Sequence, residues 1–331
     1  LILVLGAGSW GTALAHLLAQ KGLSVVLIAR RQEVSAAINN QHENPYYLPG
    51  IRLSSRLKSS TSLEGLLPKA KVLVFAVPSH ALREVLRSLK RLLTEPIPVV
   101  STIKGIEEGS LATMSQVVVE ELGAPWRPMY TVLSGPSFAK EVVQERPTAV
   151  TVAGFEVHIT RQIQDLFYVP YFRVYRSTDV LGVELAGALK NIIAIAVGIC
   201  DGLGLGFNAR AALITRGLAE VSRLGAYLGA NPLTFSGLAG LGDLVLTCTG
   251  PLSRNRTVGL RLGQGESLDK ILSDMTQVAE GVRTTASVKK LADKLQVDMP
   301  ITQAVYRVLY QREDPLHMAE ELLSRSLKDE F

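Results

Sequence analysis

The stretch GAGSWG, Gly6 to Gly11, decides how the rest of this chain is read. Before it lies Leu1-Ile2-Leu3-Val4-Leu5, an unbroken apolar run of the kind expected for a strand buried on both faces of a parallel sheet. After it, Thr12 to Ala19 reads as a helix with Leu14, Leu17 and Leu18 on one face. Gly22 closes that helix, and Ser24 to Ala29 starts a second strand. Glycine-rich turns are common, but strand, turn, helix and strand in this succession form the βαβ unit that binds a dinucleotide. Gly6 allows the tight turn, Gly8 lets backbone approach a pyrophosphate, and Gly11 lets helix and strand pack closely. The N–H groups and dipole of the helix start then hold the phosphates. The expected ligand is a dinucleotide.

The end of the second strand distinguishes among dinucleotides. NAD and FAD sites usually carry Asp or Glu there, about 20 residues on, to accept hydrogen bonds from the ribose hydroxyls. This chain has Arg30 and Arg31. A guanidinium cannot accept those bonds, but it grips a 2′-phosphate in a forked, charge-assisted geometry. NADP(H) is therefore favoured over NAD(H), FAD is disfavoured, and use of both nicotinamide cofactors stays open.

A chain of 331 residues suggests two domains, and 47% hydrophobic residues suffice for a sizeable core. The net charge of +5 is scattered over separate clusters, Arg30-Arg31, Arg83 to Arg91 and Arg254 to Arg256. An anionic small ligand accounts for that balance, and no DNA- or RNA-binding signature accompanies it. Cys200 and Cys248 have no CxxC or histidine pairing and read as reduced core thiols of a cytoplasmic protein. No metal is expected: the five histidines and the carboxylates show no ligand spacing. The chain begins inside a strand, so no secretory signal is expected. The longest apolar run, Ile192 to Cys200, is too short to cross a bilayer, which needs about 20 residues.

Further strand-like runs follow at Val72–Val77, Pro98–Thr102, Tyr130–Leu133, Thr148–Val152 and Tyr171–Tyr175, with a helix from Ser79 to about Leu93. Pro136 suits the first turn of another helix. From about Ser177 helical periods dominate, broken by glycine-rich loops at Gly202–Gly206 and Gly237–Gly242. The expected architecture is α/β: a Rossmann-type doubly wound domain over residues 1–176, then an all-helical domain over 177–331. Ligands of such sheets bind beyond the carboxyl ends of strands, where Pro78-Ser79, Lys104 and Gly135 to Ser137 fall.

A nicotinamide enzyme acting on a carbonyl needs a proton donor beside the oxygen that gains charge. Lys190 is the best candidate, on a helical face with Val183, Ala186, Gly187, Ile193, Ala194 and Val197. Apolar surroundings disfavour an ammonium and should lower its pKa, while the small neighbours leave room for substrate. Asp243, in what reads as a flexible glycine-flanked loop, is placed to orient a lysine or bind a hydroxyl; alone it would read as a turn former or helix cap. Ser253, Arg254 and Asn255 offer hydroxyl, guanidinium and amide donors suited to a phosphate or carboxylate.

Four stretches together resemble a known family over essentially the whole chain: GAGSWGTALA from Gly6, SGPSFAKEV from Ser134, GALKNIIAIAVGICDG from Gly187 and GLAGLGDLVLTCTGPLSRNRTVG from Gly237. They are similar to NAD(P)-dependent glycerol-3-phosphate dehydrogenase of the bacterial biosynthetic type. That resemblance implies reversible reduction of dihydroxyacetone phosphate to sn-glycerol 3-phosphate, supplying glycerophospholipid synthesis. It also implies a Rossmann-type domain followed by a helical one. By position it makes Lys190 the catalytic proton donor and acceptor. Lys104, Gly135, Ser137, Asp243, Ser253, Arg254 and Asn255 would contact substrate. Ser9, Trp10, Arg30, Arg31, Lys104, Ala139, Arg254, Val278 and Glu280 would contact cofactor, with Tyr47 a further candidate. A homodimer is compatible with this reading; the sequence does not decide it. Two rivals share the first motif: an enzyme acting on a hydroxy acid or sugar acid, and a nucleotide sensor without turnover. The Ser253-Arg254-Asn255 triplet after GLGDL argues against the first, and Lys190 on an apolar face against the second.

Overall fold

In the computed structural model the described residues are 1–275, 278–327 and 329–330. The strands are β1 (Ile2–Leu5), β2 (Val25–Ile28), β3 (Lys58–Ser60), β4 (Val72–Phe75), β5 (Val99–Ser101), β6 (Tyr130–Ser134), β7 (Thr148–Gly154) and β8 (Phe172–Ser177). The first six helices are α1 (Ser9–Gln20), α2 (Gln32–Gln41), α3 (Leu82–Lys90), α4 (Met114–Leu122), α5 (Ala139–Val143) and α6 (Val157–Phe167). Then come α7 (Val180–Gly202), α8 (Gly206–Tyr227), α9 (Pro232–Phe235), α10 (Asp243–Thr249) and α11 (Arg254–Gly263). The chain ends with α12 (Leu268–Asp274), α13 (Glu280–Leu295), α14 (Pro300–Gln311) and α15 (Pro315–Leu323). It divides into two compact units: Leu1–Glu107 with Ala112–Glu184, and Glu108–Leu111 with Leu185–Phe331. The division falls inside α7.

The first unit is built on one eight-stranded sheet in the order β3-β2-β1-β4-β5-β6-β7-β8. Its first six strands are mutually parallel in the Rossmann order. The continuous apolar sequence of β1 and β4 is explained by burial on both faces, every residue of each being buried. The carboxyl ends of β1, β4, β5 and β6 therefore lie along one edge, and each is followed by a segment singled out in the sequence. Four features differ from expectation. β3 is short and polar, an edge strand with no periodic signal, and β7 runs antiparallel to β6. The helix expected from Ser79 is a 3₁₀ turn, Ser79–Ala81, leading into α3. Pro136 precedes rather than opens a helix, since α5 begins at Ala139 with Phe138 as its N-cap.

The second unit is helical, and its core is α7. Reading only the longest unbroken apolar run understated this helix: Val180–Gly202 is long and apolar enough to cross a membrane. Its most apolar window is 89% buried inside the protein, as the core helix of a folded domain is. Helices α7 and α11 approach through glycine. A Cβ on Gly198 would lie 2.1 Å from the Arg256 carbonyl oxygen, and one on Gly259 would lie 2.0 Å from that of Ile195. Backbone-to-backbone packing of this kind sets α11 directly against the helix that carries Lys190.

Candidate active site

At the first strand end the three glycines have three different physical reasons. Gly6 has φ +114°, open to glycine and strained for other residues. A Cβ on Gly11 would sit 1.9 Å from the Gly6 carbonyl oxygen, so helix and turn pack with no room for a side chain. Gly8 is different: its φ is ordinary and a Cβ there would meet nothing within 4 Å. Among the described residues nothing forbids a side chain at Gly8, so the space above it is a cradle open to an approaching group. Gly8 is also the N-cap of α1, supplies no side-chain cap, and no acidic residue stands in the first turn, so the helix start is suited to an anion. Ser9 and Trp10 form that first turn. These features fit a pyrophosphate.

Arg30 is exposed just past β2. Arg31 is the N-cap of α2 and is not a freely solvated side chain: its Nη2 donates to the Tyr47 hydroxyl at 3.1 Å. At the ends of β5 and β6 a second small constellation forms. Lys104 Nζ donates to the Gly135 carbonyl at 3.2 Å, and the Ser137 hydroxyl donates to the same oxygen at 3.0 Å. Gly135 has φ +147°, and a Cβ there would lie 2.9 Å from the Val150 Cα, so a side chain would push on β7. Ala139, the first residue of α5, is partly buried.

Within the helical unit Lys190 is 6% exposed and its ammonium is not alone. Nζ donates to Asp243 Oδ1 at 2.6 Å and to Thr247 Oγ1 at 2.6 Å. Thr247 in turn donates to the Asp243 carbonyl at 2.6 Å, which fixes its hydroxyl as the acceptor for the lysine. Asp243 is therefore not on a flexible loop. A π-helical turn, Leu238–Gly242, runs straight into α10, and Asp243 is buried in its first turn. The tight turn explains one glycine: a Cβ on Gly240 would sit 2.1 Å from the Phe235 carbonyl oxygen. Of the apolar neighbours read from sequence, Ala186 lines the same small pocket as Lys190, together with Leu218, Val221 and Leu244, and a carboxylate and a hydroxyl bind the ammonium there.

The Ser253-Arg254-Asn255 triplet opens α11. Ser253 is its N-cap, its hydroxyl accepting from the Arg256 N–H. Arg254 Nη1 donates to the Val278 carbonyl at 2.9 Å. The residue is exposed, yet protein packed round its guanidinium pulls its pKa below the ordinary value, while the Glu280 carboxylate pulls the other way. Asn255 is buried; its Nδ2 donates to Asn191 Oδ1 at 2.9 Å and its Oδ1 accepts from the Gly281 N–H at 2.9 Å. The carboxamide thus ties α7, α11 and α13 together, and Asn191 takes only one of its two amide hydrogens. Arg256 is held by Asp201 at 2.6 Å and serves the fold.

Two sequence profiles cover nearly all of this chain. One, described as the N-terminus of NAD-dependent glycerol-3-phosphate dehydrogenase, matches residues 1–159, and its C-terminal counterpart matches 179–320. The chain belongs to the NAD-dependent glycerol-3-phosphate dehydrogenase family. Among curated relatives, glycerol-3-phosphate dehydrogenase [NAD(P)+] of Leptospira biflexa is 51% identical over 99% of this chain and 98% of its own. The enzyme of that name from Geobacter metallireducens is 53% identical over the same shares. The crystal structure of glycerol-3-phosphate dehydrogenase from Coxiella burnetii superposes with a TM-score of 0.94 at 43% identity, covering 98% of both chains.

In this member of the glycerol-3-phosphate dehydrogenase family, sequence reading missed the parts played by Thr247 and Asn191. Thr247 stands four residues after Asp243, the spacing that stacks two side chains on one helix face, so its signal was present. Asn191 follows Lys190 directly, but its partner is 64 residues away. Cys248, next to Thr247, has its thiol pushed up to about 12 by burial and remains a neutral core group.

Proposed function

We propose that this chain catalyses the reversible NAD(P)H-linked reduction of dihydroxyacetone phosphate to sn-glycerol 3-phosphate, the supply step for glycerophospholipid synthesis. The buried Lys190–Asp243–Thr247 cluster carries the proposal. A bound nicotinamide supplies the hydride that the carbonyl carbon accepts. Lys190 delivers a proton to the carbonyl oxygen as it gains charge, and takes it back in the reverse direction. Asp243 and Thr247 fix where Nζ lies, and the carboxylate keeps the buried ammonium compensated. Arg254, with Asn255 and Ser253 beside it, is the anion clamp for the substrate phosphate, remote from the reacting carbon, so phosphate binding aligns the carbonyl. Lys104, Gly135 and Ser137 complete the substrate contacts.

For the cofactor, the glycine turn takes the pyrophosphate, with Ser9, Trp10, Tyr47, Ala139, Val278 and Glu280 as further contacts. Arg30 and Arg31 favour NADPH over NADH. Two free buried thiols support a reducing, cytoplasmic setting. A homodimer is the simplest assembly, two-fold dimers being the commonest oligomers, and sedimentation equilibrium tests it. The activity itself is tested by following NADPH oxidation with dihydroxyacetone phosphate and with unphosphorylated dihydroxyacetone. Turnover of the first and little of the second is expected. NADPH binding without turnover of the phosphate would replace the enzyme by a nucleotide sensor.

A further inference from the structure

The loop between α2 and β3 carries Asn44, Tyr46 and Tyr47. Asn44 is fully buried, and its Nδ2 donates both to the Ala7 carbonyl at 3.0 Å and to the Thr12 hydroxyl at 2.9 Å. The loop is thereby pinned onto the glycine turn. Leu48 and Tyr47 close the loop back on Asn44, both donating to its carbonyl. From this anchored loop two tyrosines reach Arg31. The guanidinium carbon lies 4.5 Å from the centre of the Tyr46 ring and 5.4 Å from that of Tyr47, whose hydroxyl also accepts from Nη2. Tyr46 is 47% exposed, so burial does not explain its position; its partner is the cation.

We propose that Tyr46 and Tyr47 brace Arg31 into a pre-set receptor for the 2′-phosphate of NADPH, making Tyr46 a positioning residue for cofactor preference. An unbraced arginine surrenders its rotamer freedom when it grips an anion; a braced one has already lost it. Stacking engages the face of the guanidinium, and hydrogen bonds run in its plane, so the ring and a phosphate do not compete. NADH presents a neutral hydroxyl at the same place and gains little from the bracing. The proposal rests on the reading that Arg31 faces the 2′-position.

The test is cofactor binding, measured as Kd by fluorescence titration for NADPH and NADH, with melting temperature as a folding control. The variants are Tyr46→Ala, Tyr46→Phe, Arg31→Ala and the Tyr46→Ala/Arg31→Ala pair. Tyr46→Ala is expected to weaken NADPH about two- to fivefold, the size of an exposed cation–π contact, with NADH nearly unchanged. Tyr46→Phe keeps the ring and should match wild type, and Tyr46→Ala should add nothing once Arg31 is gone. Equal weakening of both cofactors, or tighter NADPH binding, would overturn the brace. If Arg31→Ala leaves the NADPH-to-NADH ratio unchanged, the reading of Arg31 falls and the brace with it. If Arg31→Ala abolishes that ratio while Tyr46→Ala does not move it, the brace alone falls.

Discussion

At Gly6 to Gly11 the backbone shapes the candidate site and two of the three glycines leave no room for a side chain, whereas around Lys190 three side chains make the site and the backbone only delivers them. The first arrangement is local, completed within one strand and one helix. The second draws Lys190 from α7 and Asp243 and Thr247 from α10, residues more than fifty positions apart. A backbone site is specified by what is missing from the sequence; a side-chain site is specified by pairing that only tertiary structure creates. The two should therefore fail differently when substituted.

The largest expected effect is on the side-chain site. Asp243→Ala leaves the Lys190 ammonium buried without its counter-charge, and breaking such a pair typically costs about 3–5 kcal/mol. Urea unfolding midpoints check this; a variant as stable as wild type would mean that Lys190 is not paired in solution. NADPH affinity of the folded fraction should hardly change, because the glycine turn does not depend on this carboxylate.

Next comes Arg254→Ala, which removes a charge-assisted contact worth about 1.5–3 kcal/mol. Steady-state kinetics should show a higher KM for dihydroxyacetone phosphate together with a lower kcat if, as proposed, the clamp aligns the carbonyl as well as binding the phosphate. Unchanged constants would return Arg254 to a structural role, holding the Val278 carbonyl.

The backbone site is sharpened by comparing two glycines in the same turn. Gly11→Ala puts a Cβ 1.9 Å from the Gly6 oxygen and should cost about 1–3 kcal/mol of stability, the usual price of overpacking. Gly8→Ala has open space and an ordinary φ, so the melting temperature should stay near wild type while both NADPH and NADH bind more weakly. Equal behaviour of the two variants would break the distinction between a packing glycine and a ligand-facing one. The smallest effect is expected from Arg30→Ala: a modest loss of NADPH affinity that shrinks at high salt, as exposed charges are screened. Cofactor titrations at two ionic strengths measure it.

The same contrast explains what could be read in advance. The βαβ unit was legible because glycine spacing and an uninterrupted apolar strand are sequence properties with few other causes. Lys190 was legible because an ionisable residue on an apolar helix face is conspicuous. Its surroundings were not: the glycines round Asp243 suggest flexibility, and only the packing of Gly240 against Phe235 shows a rigid turn leading into α10. β3 was illegible because an edge strand of Lys58-Ser59-Ser60 has no buried face to impose alternation. Asn255 looked like a ligand donor, and its bonds to Asn191 and Gly281 depend on the glycine-mediated approach of α7 and α11. The spacing of that approach, Gly198 to Gly202 and Gly259 to Gly263, was in the sequence, but nothing local joined the two pairs.

Lys190 is proposed to move the proton while the glycine turn independently holds the cofactor. Lys190→Met tests both halves in one preparation, through kcat for dihydroxyacetone phosphate reduction and Kd for NADPH. In Lys190→Met, kcat should fall by at least about 10²-fold, the usual scale of general acid–base help, with NADPH Kd within a few-fold of wild type. A variant that keeps near-native kcat would contradict that proposal and move the proton donor elsewhere, with Lys104 the next residue to replace.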